Sequence, residues 1–344
     1  QQAPQNEHSF LYAFNINYAF AELISEACIG SWTPEHGLSP ITSWRAHKNE
    51  AEIAGFRRAM QHDGVAMVRF RRELDEKVAD GSINQETEWS IAERLEEIRA
   101  EHPEYRGLSF ATIAGYADNG AVVHYEATAE DHATLSSKSF LLLDSGAHYV
   151  SGTTDITRTI PLGVLSDEEK KAYTLVLKGM IQLSMAHFPA GTTGLALDFA
   201  ARQSMWREGY DFGHGTGHGV GSHLCVHEGP HQIRKDRRAA TEVPFQVGMT
   251  VSNEPGIYVA DKFGVRLENV LVAQPAQQTP FGNFLKFETL TLCPLDLGPI
   301  VVEMLEPSER QWLNAYHEVV RTELLPLLSD EKDKEWLLQA TKAL

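Results

Sequence analysis

Cysteine is scarce: Cys28, Cys225 and Cys293 are the only three in 344 residues. So few cannot build a disulfide framework, and they fit a reducing compartment, read here as the cytoplasm. Basic residues are outnumbered, 30 Lys+Arg against 47 Asp+Glu, for a formal net charge of −17. That balance argues against a general binder of nucleic acid or anionic membrane, because phosphate recognition needs a basic face. No run of about 18 apolar residues occurs, so the sequence offers no membrane-spanning helix. Repeats of fixed period and low-complexity tracts are missing too. The chain starts at Gln1 rather than Met, with no basic head and apolar run, and we expect a segment upstream to have been removed. What is present is the composition of a globular protein with a sizeable core, 42% hydrophobic and 22% charged.

The first segment, 1–44, carries apolar islands at 10–14 and 18–24 without a periodic partner. We read 1–47 as the remnant of an upstream domain plus a linker at about 37–47, and 48–344 as the main folded domain. Ile53, Phe56, Met60, Met67 and Phe70 fall at helical spacing and predict a long helix from about 48 to 79, stopped by Asp80-Gly81. Asn84 is the expected cap of a second helix over 85–101. Strands are expected at 108–113, 121–125, 140–144 and 154–160. Ser166, followed by three acidic residues, predicts a helix reaching about His187, and Gly209 should end another over 195–208. Short strands fill 212–292, and one or two helices the tail from 308. Helix–helix–strands occurs twice, which is an α+β plan: one mostly antiparallel sheet with helices on one face.

The chemistry lies in carboxylates at positions where solvation is not expected. Asp144 follows the apolar run Phe140-Leu141-Leu142-Leu143, either as a functional group or as a cap of the turn at Ser145-Gly146. Asp155 sits in a polar, β-branched stretch, 153–159, that reads as a strand with a functional face. Two Asp on adjoining antiparallel strands can meet on one face, and then need a proton or a cation. Four glycines and two histidines share His214-Gly215-Thr216-Gly217-His218-Gly219-Val220-Gly221. A phosphate loop is the rival reading, but the Lys and the spacing of a P-loop are missing. Imidazole in a tight Gly turn better suits a transition metal. Glu254 precedes a Pro-Gly turn, and Glu268 lies in an apolar stretch, 265–272, where Arg266 on the same face is its alternative ion-pair partner. Asp144, Asp155, His218, Glu254 and Glu268 together form a hard, mostly oxygen donor set that fits two divalent cations sharing a carboxylate. The basic run 234–238 reads as a solvated loop.

These motifs, together with Val226-His227-Glu228-Gly229-Pro230, Asn253-Glu254-Pro255-Gly256 and Arg266-Leu267-Glu268-Asn269-Val270, resemble the pita-bread metallopeptidases over about 48–344. The resemblance is to the catalytic domain of the long, three-domain Xaa-Pro aminopeptidases. It implies a pita-bread fold with pseudo-twofold halves. It also implies two divalent metal ions, Mn2+ first and Co2+ or Zn2+ as alternatives, on Asp144, Asp155, His218, Glu254 and Glu268. His124, His214 and His227 are implied to line the substrate site, with Glu254, His227 and His124 taking part in catalysis. Arg266 is implied as a partner of the acidic cluster. The expected reaction is hydrolysis of the N-terminal Xaa-Pro bond of peptides through a metal-bridging hydroxide. The expected partners are peptides with proline in second position and a second copy of the chain as a homodimer. The alternatives are an Xaa-Pro dipeptidase (prolidase) and a non-catalytic binding module. The latter typically loses ligands, and all five are present.

Overall fold

Asn49 starts the first long helix. Its side chain accepts from the Glu52 amide while the Glu52 carboxylate reaches back to the Asn49 amide, so two otherwise orphaned donors are satisfied together. The computed structural model describes residues 39–344 and the short stretches 11–12, 17–19, 22–23 and 35–36. Six of the twelve residues in the apolar islands at 10–14 and 18–24 therefore lie outside the described residues. In the stretch read as a linker, helix α1 spans Pro40–Ala46. Helix α2 spans Glu50–Asp80 and stops at Gly81, whose φ of 82° is open to glycine at little cost.

The second helix begins later than the pattern predicts. Residues Ser82–Gln85 form a 3-10 turn, and α3 runs Glu88–Ala100. Thr87, not Asn84, is its cap, because the Thr87 and Ser90 hydroxyls satisfy one another's amides. The expected strand at 108–113 is instead two strands, β1 (Tyr105–Leu108) and β2 (Ile113–Tyr116). No strand forms over 121–125. A 3-10 turn occupies Ala117–Ala121, and Gly120 there abuts the backbone of Gly264 so closely that a Cβ on Gly264 would lie 1.7 Å from the Gly120 oxygen.

β3 (Phe140–Ser145) is buried along its whole length, as befits a central strand covered on both faces. It pairs antiparallel with β2 on one side and, past β4 (Ala147–Tyr149) and β5 (Gly152–Thr153), with β6 (Ile156–Pro161) on the other. Alternation then assigns the side chains. Leu141, Leu143, Ile156 and Ile160 pack with Met67, Phe70 and Leu74 of α2 and Ile91 and Leu95 of α3. Asp144, Thr157 and Thr159 are thereby turned to the opposite face.

The second half repeats the plan. Ser166 caps α4 (Asp167–Ser184) through a reciprocal bond with Glu169, and α5 spans Gly194–Arg207. The predicted end of α4 at His187 is wrong: β7 (His187–Pro189) pairs with Phe284–Lys286 and joins the sheet. After β8 (Gly217–His218) and β9 (Gln232–Ile233), β10 (Thr250–Asn253) pairs antiparallel with β13 (Asn269–Thr279), which pairs with β14 (Gly282–Thr289). Between them, β11 (Gly256–Val259) and β12 (Phe263–Arg266) form a hairpin. Glu268 therefore stands in the break between two strands rather than inside one. Helices α6 (Pro307–Leu324) and α7 (Glu331–Ala340) close the chain.

Two buried histidines make this core acid-sensitive. His231 bonds the Thr250 carbonyl through Nε2, and His317 Nε2 accepts from the Leu295 amide. Burial holds both pKa values down, to about 4. Both are neutral when folded, so below the unfolded value of about 6.5 the unfolded chain takes up protons that the folded one does not. Stability should thus fall as pH drops from about 6.5 to 4, by up to ~3 kcal/mol per histidine. Urea midpoints at pH 7.5 and 4.5 measure this. A His231→Gln, His317→Gln chain as pH-sensitive as the unaltered one would overturn the assignment.

Candidate metal centre and substrate cavity

A cavity of about 340 Å3 opens on the face that carries Asp144. All five residues of the acidic set line it, as do His124, His214, His227 and Arg266. Asp144 comes from the buried end of β3, and Asp155 from the turn leading into β6. His218 lies on β8, whose Gly217 brings the backbone against β10: a Cβ on Gly217 would lie 1.9 Å from the Ser252 oxygen. Glu254 follows β10 at the turn into β11, and its amide donates to the Thr216 carbonyl at 2.8 Å.

The electrostatics call for a cation. His218 Nδ1 bonds the Gly219 carbonyl at 3.0 Å, and a carbonyl only accepts, so Nδ1 carries the proton. Nε2 faces Asp155 and Glu254, each 3.4 Å away, and is the ring nitrogen available to a metal ion. Asp155, His218 and Glu268 each offer a ligand atom within 4.8 Å of the others. Burial, then the neighbouring carboxylates, raises the pKa of Asp155 and Glu268 well above the carboxylate range. Asp144 Oδ1 is buried without a hydrogen-bond partner. Carboxylates packed this closely must share protons or a cation, and with the imidazole beside them they fit a divalent-metal site.

Around this set the structure corrects two readings. Arg266 does not pair with Glu268. Its guanidinium donates to Asp144 Oδ2 at 2.7 Å, to the Tyr258 hydroxyl at 2.7 Å and to the Thr157 hydroxyl at 3.3 Å. Glu268 accepts from Thr157 Oγ1 at 2.8 Å instead. The basic run 234–238 is not wholly solvated either. Arg234 folds against Gly215, lines the cavity, and is steered by Asp236, which accepts from its Nε at 2.8 Å.

His124 sits on an exposed turn at the rim rather than on a strand. The rings of His227 and His218 meet edge to face with centroids 4.2 Å apart. Burial, then His218, lowers the His227 pKa and favours a neutral ring. His214 uses both nitrogens on the protein: Nδ1 donates to the Gly215 carbonyl, and Nε2 accepts from the Tyr258 hydroxyl at 2.8 Å. Tyr258 therefore links Arg266 to His214, a role missed in the sequence. Its only signal was an aromatic residue two positions beyond the Glu254-Pro255-Gly256 turn. Phe110, Ile113 and Val123 supply an apolar wall.

Comparison with known proteins accords with this geometry. Residues 54–275 match the model of metallopeptidase family M24, and 283–344 match the C-terminal region of peptidase M24. A probable Xaa-Pro aminopeptidase P of Laccaria bicolor is 44% identical over 303 residues, 87% of this chain and 47% of that protein. Aminopeptidase P1 of Lotus japonicus is 43% identical over 88% of this chain and 49% of its own length. The chain spans about half the length of the curated relatives it matches. The crystal structure of X-prolyl aminopeptidase from Caenorhabditis elegans, described as a cytosolic enzyme with a di-nuclear active site, superposes with a TM-score of 0.89. It is 33% identical, over 99% of this chain and 55% of that one. Prolidase from Pyrococcus furiosus gives a TM-score of 0.61 at 25% identity, over 82% of this chain and 75% of its own. With its α+β halves in the pita-bread arrangement, the chain belongs to metallopeptidase family M24.

Proposed function

We propose that residues 48–344 form the catalytic unit of an Xaa-Pro aminopeptidase that removes the N-terminal residue from peptides with proline second. The observation that supports this most is that Asp155 and Glu254 each lie 3.4 Å from Nε2 of His218, in a cavity that Asp144 and Glu268 also line. Asp144, Asp155, His218, Glu254 and Glu268 would hold two divalent ions, with Mn2+ as the first candidate. When bound, such ions polarise a carbonyl and acidify a water.

The protein's own groups do the rest. Glu254, oriented by the Ser252 hydroxyl at 2.9 Å, accepts a proton from the attacking water and passes it towards the departing proline nitrogen. That nitrogen belongs to a tertiary amide with no N–H, so it leaves only when protonated. His227 and His124, at the cavity wall, donate to the carbonyl oxygen as charge develops on it. The free α-amino group of the substrate sits by the acidic set. The Arg266–Tyr258–His214 chain holds Asp144 and presents the His214 ring to the prolyl part. We extend the proposal to a cytoplasmic homodimer; the nematode enzyme's cytosolic description supports the compartment.

Arg234 favours a second reading, an Xaa-Pro dipeptidase, because a cation at the cavity can hold the C-terminal carboxylate of a dipeptide. Metal analysis joined to a cleavage assay tests both. The Mn2+-loaded chain should bind two ions and cleave Xaa-Pro-Xaa tripeptides faster than Xaa-Pro dipeptides. Preference for the dipeptide would establish the second reading, and no cleavage with Mn2+, Co2+ or Zn2+ would overturn both.

A further inference from the structure

Lys48 is nearly inaccessible, with 1% of its side chain exposed, and its ammonium lies 2.6 Å from Glu228 Oε1, 180 residues along the chain. The same ammonium donates to the Arg45 carbonyl at 2.6 Å, and the Lys48 amide donates to the Gly248 carbonyl. The second Glu228 oxygen pairs with Arg45 at 2.5 Å. The Glu228 amide in turn donates to the Gly219 carbonyl at 2.7 Å, the same carbonyl that takes the His218 Nδ1 proton. Gly221 leaves room for the carboxylate, since a Cβ there would lie 3.2 Å from Glu228 Oε2. Glu228 thus ties the junction of α1 and α2 to the loop bearing His227 and to the strand bearing His218.

A buried ion pair is a weak source of stability, because desolvation offsets the attraction, and apolar residues of similar size often serve as well. The chemistry proposed above uses neither charge. We propose that the Lys48–Glu228 pair is a positioning device for His227, holding the Val226–Gly229 segment so that the imidazole faces the scissile carbonyl. The inference rests on that reading of His227. With the pair broken, Glu228 is held from this side by the half-exposed Arg45 alone, and misplacement of the loop by about 1 Å is enough to cost up to 10²-fold in rate.

The test compares Lys48→Met, Lys48→Arg and Glu228→Gln with the exposed-pair control Arg57→Ala, which breaks the Arg57–Glu288 contact. Lys48→Met and Glu228→Gln should lower kcat about 10- to 100-fold, with KM within about threefold and two metals retained. Lys48→Arg should restore most of kcat, and Arg57→Ala should change neither constant. Hydrogen exchange of the metal-free protein should quicken about tenfold or more at 226–229 and stay unchanged in α4. If Lys48→Met does not fold, the near-isosteric Glu228→Gln carries the same readouts. Unchanged kcat, a loss confined to KM, no gain from Lys48→Arg over Lys48→Met, or exchange quickened throughout would overturn the positioning role. An unaltered chain that cleaves no Xaa-Pro peptide would overturn the proposed function instead, and the exchange measurement would then decide the positioning role alone.

Discussion

Glu254→Gln should leave the fold intact and lower kcat by about 10⁴-fold, the upper range for a positioned acid–base group. The exchange is nearly isosteric, and the amide oxygen can still accept from Ser252 Oγ, now 2.9 Å from Glu254 Oε1. What disappears is a proton acceptor and one of the negative charges that face His218 Nε2. On the proposed mechanism the water would then have no base, and the proline nitrogen would receive no proton. The check is kcat beside a circular-dichroism melt on the same preparation. A kcat within about tenfold of the unaltered chain would sink the role of Glu254.

His227→Ala carries the next largest effect, a fall in kcat of about 10²–10³-fold with metal stoichiometry unchanged. The ring stands edge to face against His218, yet the acidic set reaches Nε2 of His218 rather than His227. Removing it should cost hydrogen bonding to the developing oxyanion and nothing in metal retention. Metal content by mass spectrometry separates the alternatives: a variant that loses metal would make His227 a ligand or a prop for one.

Helices were the most legible part of the fold. Asn49–Glu52 and Ser166–Glu169 act within one turn of chain, so the starts of α2 and α4 could be read from neighbouring residues. The stops at Gly81 and Gly209 are equally local. Strand limits were less legible, because a strand ends where its partner ends. The segment 121–125 looked like a strand yet finds no ladder, and His187 left its helix to pair with Lys286, about a hundred residues on.

The candidate site divides in the same way. The donor types, and the motifs that carry Asp144, Asp155, His218, Glu254 and Glu268, stood in the linear order of the chain, because a buried carboxylate beside an apolar run or a Gly turn is a local anomaly. Which charges compensate them was not local. Glu268, two residues away, was one partner open to Arg266, but the Arg266 guanidinium donates to Asp144, 122 positions earlier. Tyr258 joined the site through the β11–β12 hairpin, and Arg234 through the fold of its loop onto Gly215. Lys48 reached Glu228 only through the fold, which sets the chain ahead of α2 against Gly248 and the 226–229 loop. Local residue chemistry settled what kinds of groups this protein possesses. The tertiary packing alone chose their partners, since Coulomb and hydrogen-bond energies depend on distance in space, and that distance bears no relation to separation along the chain.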